Sequence, residues 1–308
     1  MKLQHLRTFV AVYQERSFTA AAERINATQS GLSMQIKELE KTLRCALFDR
    51  SPAGVVPTPA GERFYLRAAS ILNDLSESEE ELRGLEGELT GTVTVGLMPA
   101  FSRAALPRAL NVFTQRYPHV RLDIVEAYSG VLSEAVVRGE VDFAIVPPTG
   151  AHAGIRSQHI ARDCEIFVTS LDTSRTHLEP VILADCGSLN LIVPGTGNAR
   201  RARIDTYLAG VGANVDKIIE MDAMMGTLEV VAQSDWAAIL PGAICLPDLP
   251  GHVRKLHPIK QPTLSVDYVL IQPAVGALSP AAQQFTTVLI KEIQDICGQI
   301  SDRLGRAT

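Results

Sequence analysis

The sequence has no uninterrupted apolar run of the roughly 18 residues that a membrane span needs, and its opening, MKLQHLRTFVAVYQER, lacks the apolar centre of a secretory signal. A cytoplasmic protein without membrane contact is expected. Five cysteines, Cys45, Cys164, Cys186, Cys245 and Cys297, form an odd and scattered set with no CxxC and no Cys/His ligand spacing. Reduced thiols are the default. The seven histidines show no HExxH and no close pair on a helix, the glycines of PGTGNARR are not followed by GK[ST], and no serine stands in a GxSxG. These absences leave no catalytic residue, metal ligand or cofactor to name, and they point away from an enzyme.

What is present is a chain of 308 residues, 46% hydrophobic and 20% charged, long enough for two or three domains with real cores. Its net charge of −5 divides unevenly: up to Arg67 ten Lys and Arg face six acids, a surplus of four, which leaves −9 beyond. A basic head on an acidic body suits a partner such as DNA, attracted by one part and repelled by the other. So small a surplus implies that more than one head acts together.

The stretch from Ser17 to Arg50 carries two short helical patterns around a tight turn. Thr19 is placed to cap the first, which turns Ala21, Ala22 and Ile25 inward, and Thr28 to cap the second. There Leu32, Ile36, Leu39 and Leu43 make one apolar stripe, leaving Gln29, Ser30, Ser33, Met34 and Lys37 outward. Amide, hydroxyl and ammonium groups near a helix N-terminus suit a helix that enters a DNA major groove, although a plain helical hairpin with a solvated face has the same periodicity. A hairpin follows, Leu47 to Arg50 and then Val55 and Val56 about a turn, which completes a winged helix and carries Arg50 toward the DNA backbone or minor groove. A preceding helix from about Lys2 to Glu15, with Leu3, Leu6, Phe9, Val10 and Tyr13 inward, is scaffold.

From LQHLRTFVAVYQERSFTAAAERI through ATQSGLSMQIKELEKTL to LFDRSPAGVVPTPAGERF, the first quarter of the chain resembles the N-terminal signature of LysR-type transcriptional regulators. Thr28, Gln29, Ser30, Ser33, Met34, Lys37 and Arg50 are therefore the DNA-contacting residues expected; the resemblance adds a promoter with an inverted repeat, a homotetramer built as a dimer of dimers, and RNA polymerase as a further partner. Two positions depart from it. The family commonly has proline at position 30 and arginine at position 34, so the contact made from that arginine does not carry over to Met34.

After the wing, Thr58 caps and Pro59 opens a long helix reaching to about Glu86. Ala68, Leu72, Leu75, Leu82 and Leu89 keep a heptad spacing with Leu85 nearby, a seam that asks for a partner helix from a second copy. Gly84, Gly87 and Gly91 mark a hinge. Strand and helix then alternate: TVTVGLM, a helix over 102–117, VRLDIVEA, a helix over 131–138 and VDFAIV form one βαβαβ unit with a parallel sheet. A second unit comprises 164–169, LNLIV, a helix over 199–208, KIIEM, a helix over 223–233 and WAAIL, after which YVLIQ and a last helix over 280–304 return to the first.

The fold expected is therefore α+β and multidomain: a winged helix-turn-helix over 1–58, a linker helix and hinge over 59–90, and an α/β two-lobed effector domain like a periplasmic binding protein. Its first lobe takes 91–161 and 267–308, and its second 162–266. In open α/β sheets ligands sit beyond the carboxyl ends of the strands. That places Met98, Ala100, Phe101, Ser102, Ser129, Gly130, Pro147, Thr149, Thr196, Gly197 and Met221 around one cleft. Ser102, Ser129 and Thr196 each precede a predicted helix, so hydroxyls and free N–H groups would converge there and favour an anionic effector, most simply a carboxylate or aromatic acid. Arg103, Arg200 and Arg201 would add charge, and Met224 apolar wall. Two other readings remain: a regulator switched by the thiols of Cys164 and Cys186, and a solute-binding module with no DNA function.

Overall fold

The computed structural model describes residues 1–51, 54–84, 89–148, 150 and 154–305. The head begins with α1 (Leu3–Glu15), α2 (Phe18–Arg24) and α3 (Gln29–Leu43), followed by the antiparallel hairpin β1 (Phe48–Ser51) and β2 (Gly54–Pro57). The cap of α2 is Ser17, whose hydroxyl accepts from the Ala20 N–H at 3.3 Å, and not Thr19, which lies inside the helix beyond the place the chain enters it. Thr28 does cap α3, accepting from the Gly31 N–H at 3.2 Å. Leu32, Ile36 and Leu39 are buried from α3, while α1 contributes Leu6, Phe9, Val12 and Tyr13. Leu3 is exposed instead, because it is the first residue of the helix and His5 and Leu6 are the members of that turn that face the core.

A 26-residue helix, α4 (Pro59–Gly84), leaves the wing after Thr58, which accepts from the Gly61 N–H at 3.0 Å. It is part of the head as much as a linker. The rings of Tyr13 and Tyr65 stack at 3.8 Å between centroids, Tyr13 donates to Glu62, and Gly61 lies so close to the Leu47 carbonyl that a Cβ there would collide with its oxygen. Of the expected hinge glycines, Gly84 is the last residue of α4, Gly91 opens the next strand with φ 112°, and Gly87 lies outside the described residues.

The rest of the chain is built on one hydrogen-bonded sheet with two wings. On one side β3 (Gly91–Leu97) pairs in parallel with β4 (Val120–Glu126) and β5 (Phe143–Val146). On the other, β7 (Leu189–Val193) pairs in parallel with β8 (Val215–Glu220) and β9 (Ala237–Pro241). Two long strands run between: β6 (Ile155–Thr169) is antiparallel to β11 (Ser265–Pro273) from Ile155 to Cys164, then continues antiparallel to β9 and to β10 (Lys255–Pro258). Each lobe therefore borrows strands from both crossings, and the sheet is mixed where a parallel one is expected. Two apolar cores rather than one lie in this body, a large one that includes Phe101, Phe143, Tyr268 and Phe285, and a smaller one in the second lobe around Leu191, Ile204 and Ile239.

Around these strands lie α5 (Pro99–Ala104), α6 (Leu106–Arg116), α7 (Ser129–Val137), α8 (Ala199–Val211), α9 (Met224–Ala232), α10 (Gly242–Cys245) and α11 (Pro280–Gly305). The expected single helix over 102–117 is two. The second starts at Leu106 with Pro107 in its first turn, where a missing N–H costs nothing at a helix start but would break a helix interior. Among the described residues no helix is long and apolar enough to cross a membrane.

Candidate functional site

On the head, Thr28, Gln29, Ser30, Met34 and Lys37 are exposed and Ser33 is half-buried on the same side of α3. The apolar stripe dictates this arrangement: burying Leu32, Ile36 and Leu39 against α1 and α2 turns the opposite face to solvent. Thr28 is engaged as the cap and takes a long contact from the Ser30 hydroxyl at 3.5 Å, so its side chain shapes the helix start. Gln29 and Met34 project from the first half of the helix and Lys37 from just past its middle. The side chain of Arg50 lies outside the described residues.

The second region is the seam between the lobes, at the carboxyl ends of β4, β7 and β8. Tyr128 from the first lobe donates its hydroxyl to the Asp222 main-chain carbonyl in the second at 2.5 Å. Beneath it a cavity of about 10 Å³ is lined by Tyr128, Pro194, Asn198, Arg200, Met221, Met224 and Thr227. That is room for one water at most. The lobes are closed on each other.

Behind the cavity is a buried polar cluster. Arg200, 2% exposed, reaches both oxygens of Glu165 at 3.2 and 2.8 Å and the Ile239 carbonyl at 2.9 Å. Two positions back on β6, Asp163 accepts from the Cys164 and Ala243 N–H groups, each at 2.8 Å, and burial raises its carboxyl to about 7. The Tyr268 hydroxyl, wholly buried nearby, has no hydrogen-bond partner among the described residues.

Most of the residues expected around the cleft stand elsewhere. Met98, Ala100 and Phe101 are buried in the large core, Phe101 edge-on to Tyr268 at 4.6 Å, because α5 folds straight back over the sheet. None of the three hydroxyls caps a helix. Ser102 lies inside α5 and donates to the Met98 carbonyl, Ser129 is the first residue of α7 and buried, and Thr196 is exposed in a loop whose cap is Asn198. Pro147 is buried, Gly130 and Gly197 are exposed, and Thr149 lies outside the described residues. Met221 and Met224 do line the cleft.

Nor are the arginines free charges. Arg103 donates to the Ile244 carbonyl at 2.6 Å and Asp248 at 3.0 Å, while Arg201 is held by Asp205, Glu220 and the Pro194 carbonyl. Tyr128 and Asn198 belong to segments, 128–131 and 194–198, that the sequence places at strand ends facing the cleft, but it does not single either of them out. Nothing in the local pattern marks a tyrosine or a helix cap as facing another lobe.

Asn198 and Gly195 hold an anion already. The Asp222 carboxylate accepts from the Gly195 N–H at 3.1 Å and the Asn198 amide at 3.3 Å. A Cβ at Gly195 would come within 2.5 Å of the second Asp222 oxygen, so that carboxylate would have to shift to admit one. Among the described residues no group of three His, Cys, Asp or Glu side chains is placed to hold a metal ion.

On α4, Leu72 packs half-buried against the head's own core, so it is not available to a partner. Ile71, 44% exposed, stands in its place, with Leu75 half-buried one turn on. Leu89 packs on the large core; Leu85 and the side chain of Leu82 lie outside the described residues.

Comparison with known proteins follows this division. Residues 3–62 match the bacterial regulatory helix-turn-helix protein of the lysR family, and residues 86–294 match the LysR substrate binding domain. The nitrogen assimilation regulatory protein nac of Klebsiella aerogenes is 26% identical over 291 residues, covering 94% of each chain. Among solved structures, a full-length OxyR variant from Pseudomonas aeruginosa superposes with a TM-score of 0.76 at 22% identity over 97% of both chains. Full-length CbnR complexed with its target DNA superposes at 0.61 with 20% identity, covering 95% of this chain and 100% of that one.

Proposed function

The chain belongs to the LysR family of bacterial helix-turn-helix regulators and is a DNA-binding transcriptional regulator; on that premise we propose that a small molecule held between its two lobes sets its grip on a promoter. The Tyr128–Asp222 hydrogen bond across a cleft closed to about 10 Å³ carries this reading. That bond, worth about 0.5–1.5 kcal/mol, joins the lobes together with the bonds from Arg103 to Ile244 and Asp248, and a ligand that favours the open lobes can shift the balance through its differential affinity. The Gly195 and Asn198 donors, which accommodate Asp222, support a carboxylate or aromatic acid as the effector.

The DNA contacts in this reading come from Gln29, Ser30, Ser33, Met34, Lys37 and Arg50, positioned by Thr28. That CbnR, of the same fold, is seen with its target DNA supports the exposed face of α3 as the groove-facing one. Two copies, paired through α4 about Ile71, Leu75, Leu82 and Leu85, would present two heads to an inverted repeat, with a tetramer as a pair of such dimers and RNA polymerase as a further contact.

The test is footprinting of the protein's own upstream DNA with and without a panel of small carboxylates and aromatic acids, paired with thermal shift on the full chain. A ligand that raises Tm and alters the footprint is expected. A panel that moves neither overturns the effector reading.

A thiol switch is the second reading, since OxyR shares the fold. The thiols weigh against it. Burial pushes Cys164 up to about 12 and Cys186 above the usual thiol range, which suppresses the reactive thiolate. They also pack against different cores. Replacing both by serine is expected to leave the response unchanged.

A further inference from the structure

A second cavity, of about 660 Å³, lies between α4 and the first lobe, far larger than the closed cleft and within the range that holds small ligands. One wall is the face of α4 carrying Arg63, Leu66, Arg67 and Ser70, at the i, i+3, i+4 and i+7 positions of one side. The opposite wall is apolar, with Val136 at the end of α7 and Val275 and Leu278 in the loop between β11 and α11. At one end the helix approaches the turn after α7, where a Cβ on Gly139 would lie 3.6 Å from that of Ala69.

We propose that this cavity is a second small-molecule site, for an amphipathic organic anion whose charged group meets Arg63 and Arg67 and whose apolar part lies against Val136, Val275 and Leu278. Among the described lining residues the one acid is Asp142. Its carboxyl accepts from the Thr94 N–H at 2.7 Å, and burial raises it, which weakens the opposition to an anion. The partner-facing seam of α4 adjoins the cavity without coinciding with it: at about 100° per residue Leu66 and Ser70 point well away from Ile71 and Leu75, while Arg63 and Arg67 stand at the border between the two faces. Such a ligand touches the linker helix and the effector lobe at once, so it fixes the head relative to the body without entering the cleft.

The full chain is titrated with octanoate, followed by thermal shift, and with 1-anilinonaphthalene-8-sulfonate, followed by fluorescence. Both are expected to bind the wild type. Ala277→Trp, which fills the cavity from the loop side, and Ser70→Trp, which fills it from the helix side, are each expected to weaken octanoate at least tenfold with unliganded Tm close to wild type. The pair Arg63→Gln and Arg67→Gln is expected to weaken octanoate about fivefold while leaving 1-octanol unchanged. Octanoate affinity that both tryptophan variants leave intact overturns the proposal. So does a result in which they shift only the monomer–dimer equilibrium, since a second copy then covers the groove. Tyr128→Phe is expected to have no effect on octanoate; a change there would place the probe in the cleft and overturn the second site.

Discussion

The Tyr128 hydroxyl and the Asp222 carbonyl meet at 2.5 Å across the seam between the lobes, while the Asp222 side chain caps the Gly195 loop of its own lobe. One residue therefore serves both the closure and the loop. Tyr128→Phe removes one cross-lobe bond and leaves those of Arg103 in place, so lobe opening becomes easier by about 0.5–1.5 kcal/mol, up to roughly tenfold in the equilibrium. Small-angle scattering of the free variant should show a larger radius of gyration. An unchanged radius and unchanged effector affinity would remove the bond from any switching role.

The Arg200–Glu165 pair is expected to behave as a buried couple. Arg200→Met strands an unpaired carboxylate in the interior and should cost about 3–5 kcal/mol by denaturant unfolding. Adding Glu165→Leu should restore much of that loss. Were the double variant as unstable as the sum of the singles, the pair would not be coupled.

Asp163 links stability to pH. Its carboxyl titrates at about 7 in the fold, against roughly 4 in an unfolded chain. The folded protein thus holds a proton that the unfolded chain has lost between those values, so this group's contribution to stability is full below about pH 4 and falls as pH rises to about 7. Asp163→Asn should flatten that slope in Tm-versus-pH scans. It should also lower Tm throughout, because an amide offers one acceptor oxygen where two N–H groups are bound.

On the DNA face, Lys37→Ala is expected to weaken binding evenly across sequences and to reduce the salt slope by about one. Met34→Arg, which adds a bidentate donor at an exposed position, should tighten binding. A mobility shift at several salt concentrations separates the two. Loss of affinity in Met34→Arg would mean that this face does not meet DNA.

The seam of α4 is tested by Ile71→Glu, which should raise the dimer dissociation constant at least tenfold in sedimentation, whereas Leu72→Glu should unfold the head instead. If Ile71→Glu leaves the dimer intact, another surface joins the copies.

The amino-acid order alone determined the features set by near neighbours. Leu32, Ile36 and Leu39 return on one helical period, Thr28 stops the turn and starts α3, and the outward set from Gln29 to Lys37 follows from those two facts. The alternation of strand and helix beyond Gly91 likewise fixed a two-lobed body, because each short apolar run must be covered by the amphipathic segment beside it. Tertiary structure decided which ends of those elements meet. Tyr128, Asn198 and Asp222 are separated by at least 24 residues from one another along the chain and carry no shared pattern. Only the crossing of β6 with β11, whose hydrogen bonds set the register between lobes, brings them together and sends Phe101 and Ser102 away from the cleft. Local periodicity records what a segment must bury; it does not record what lies on the other side of the space it faces.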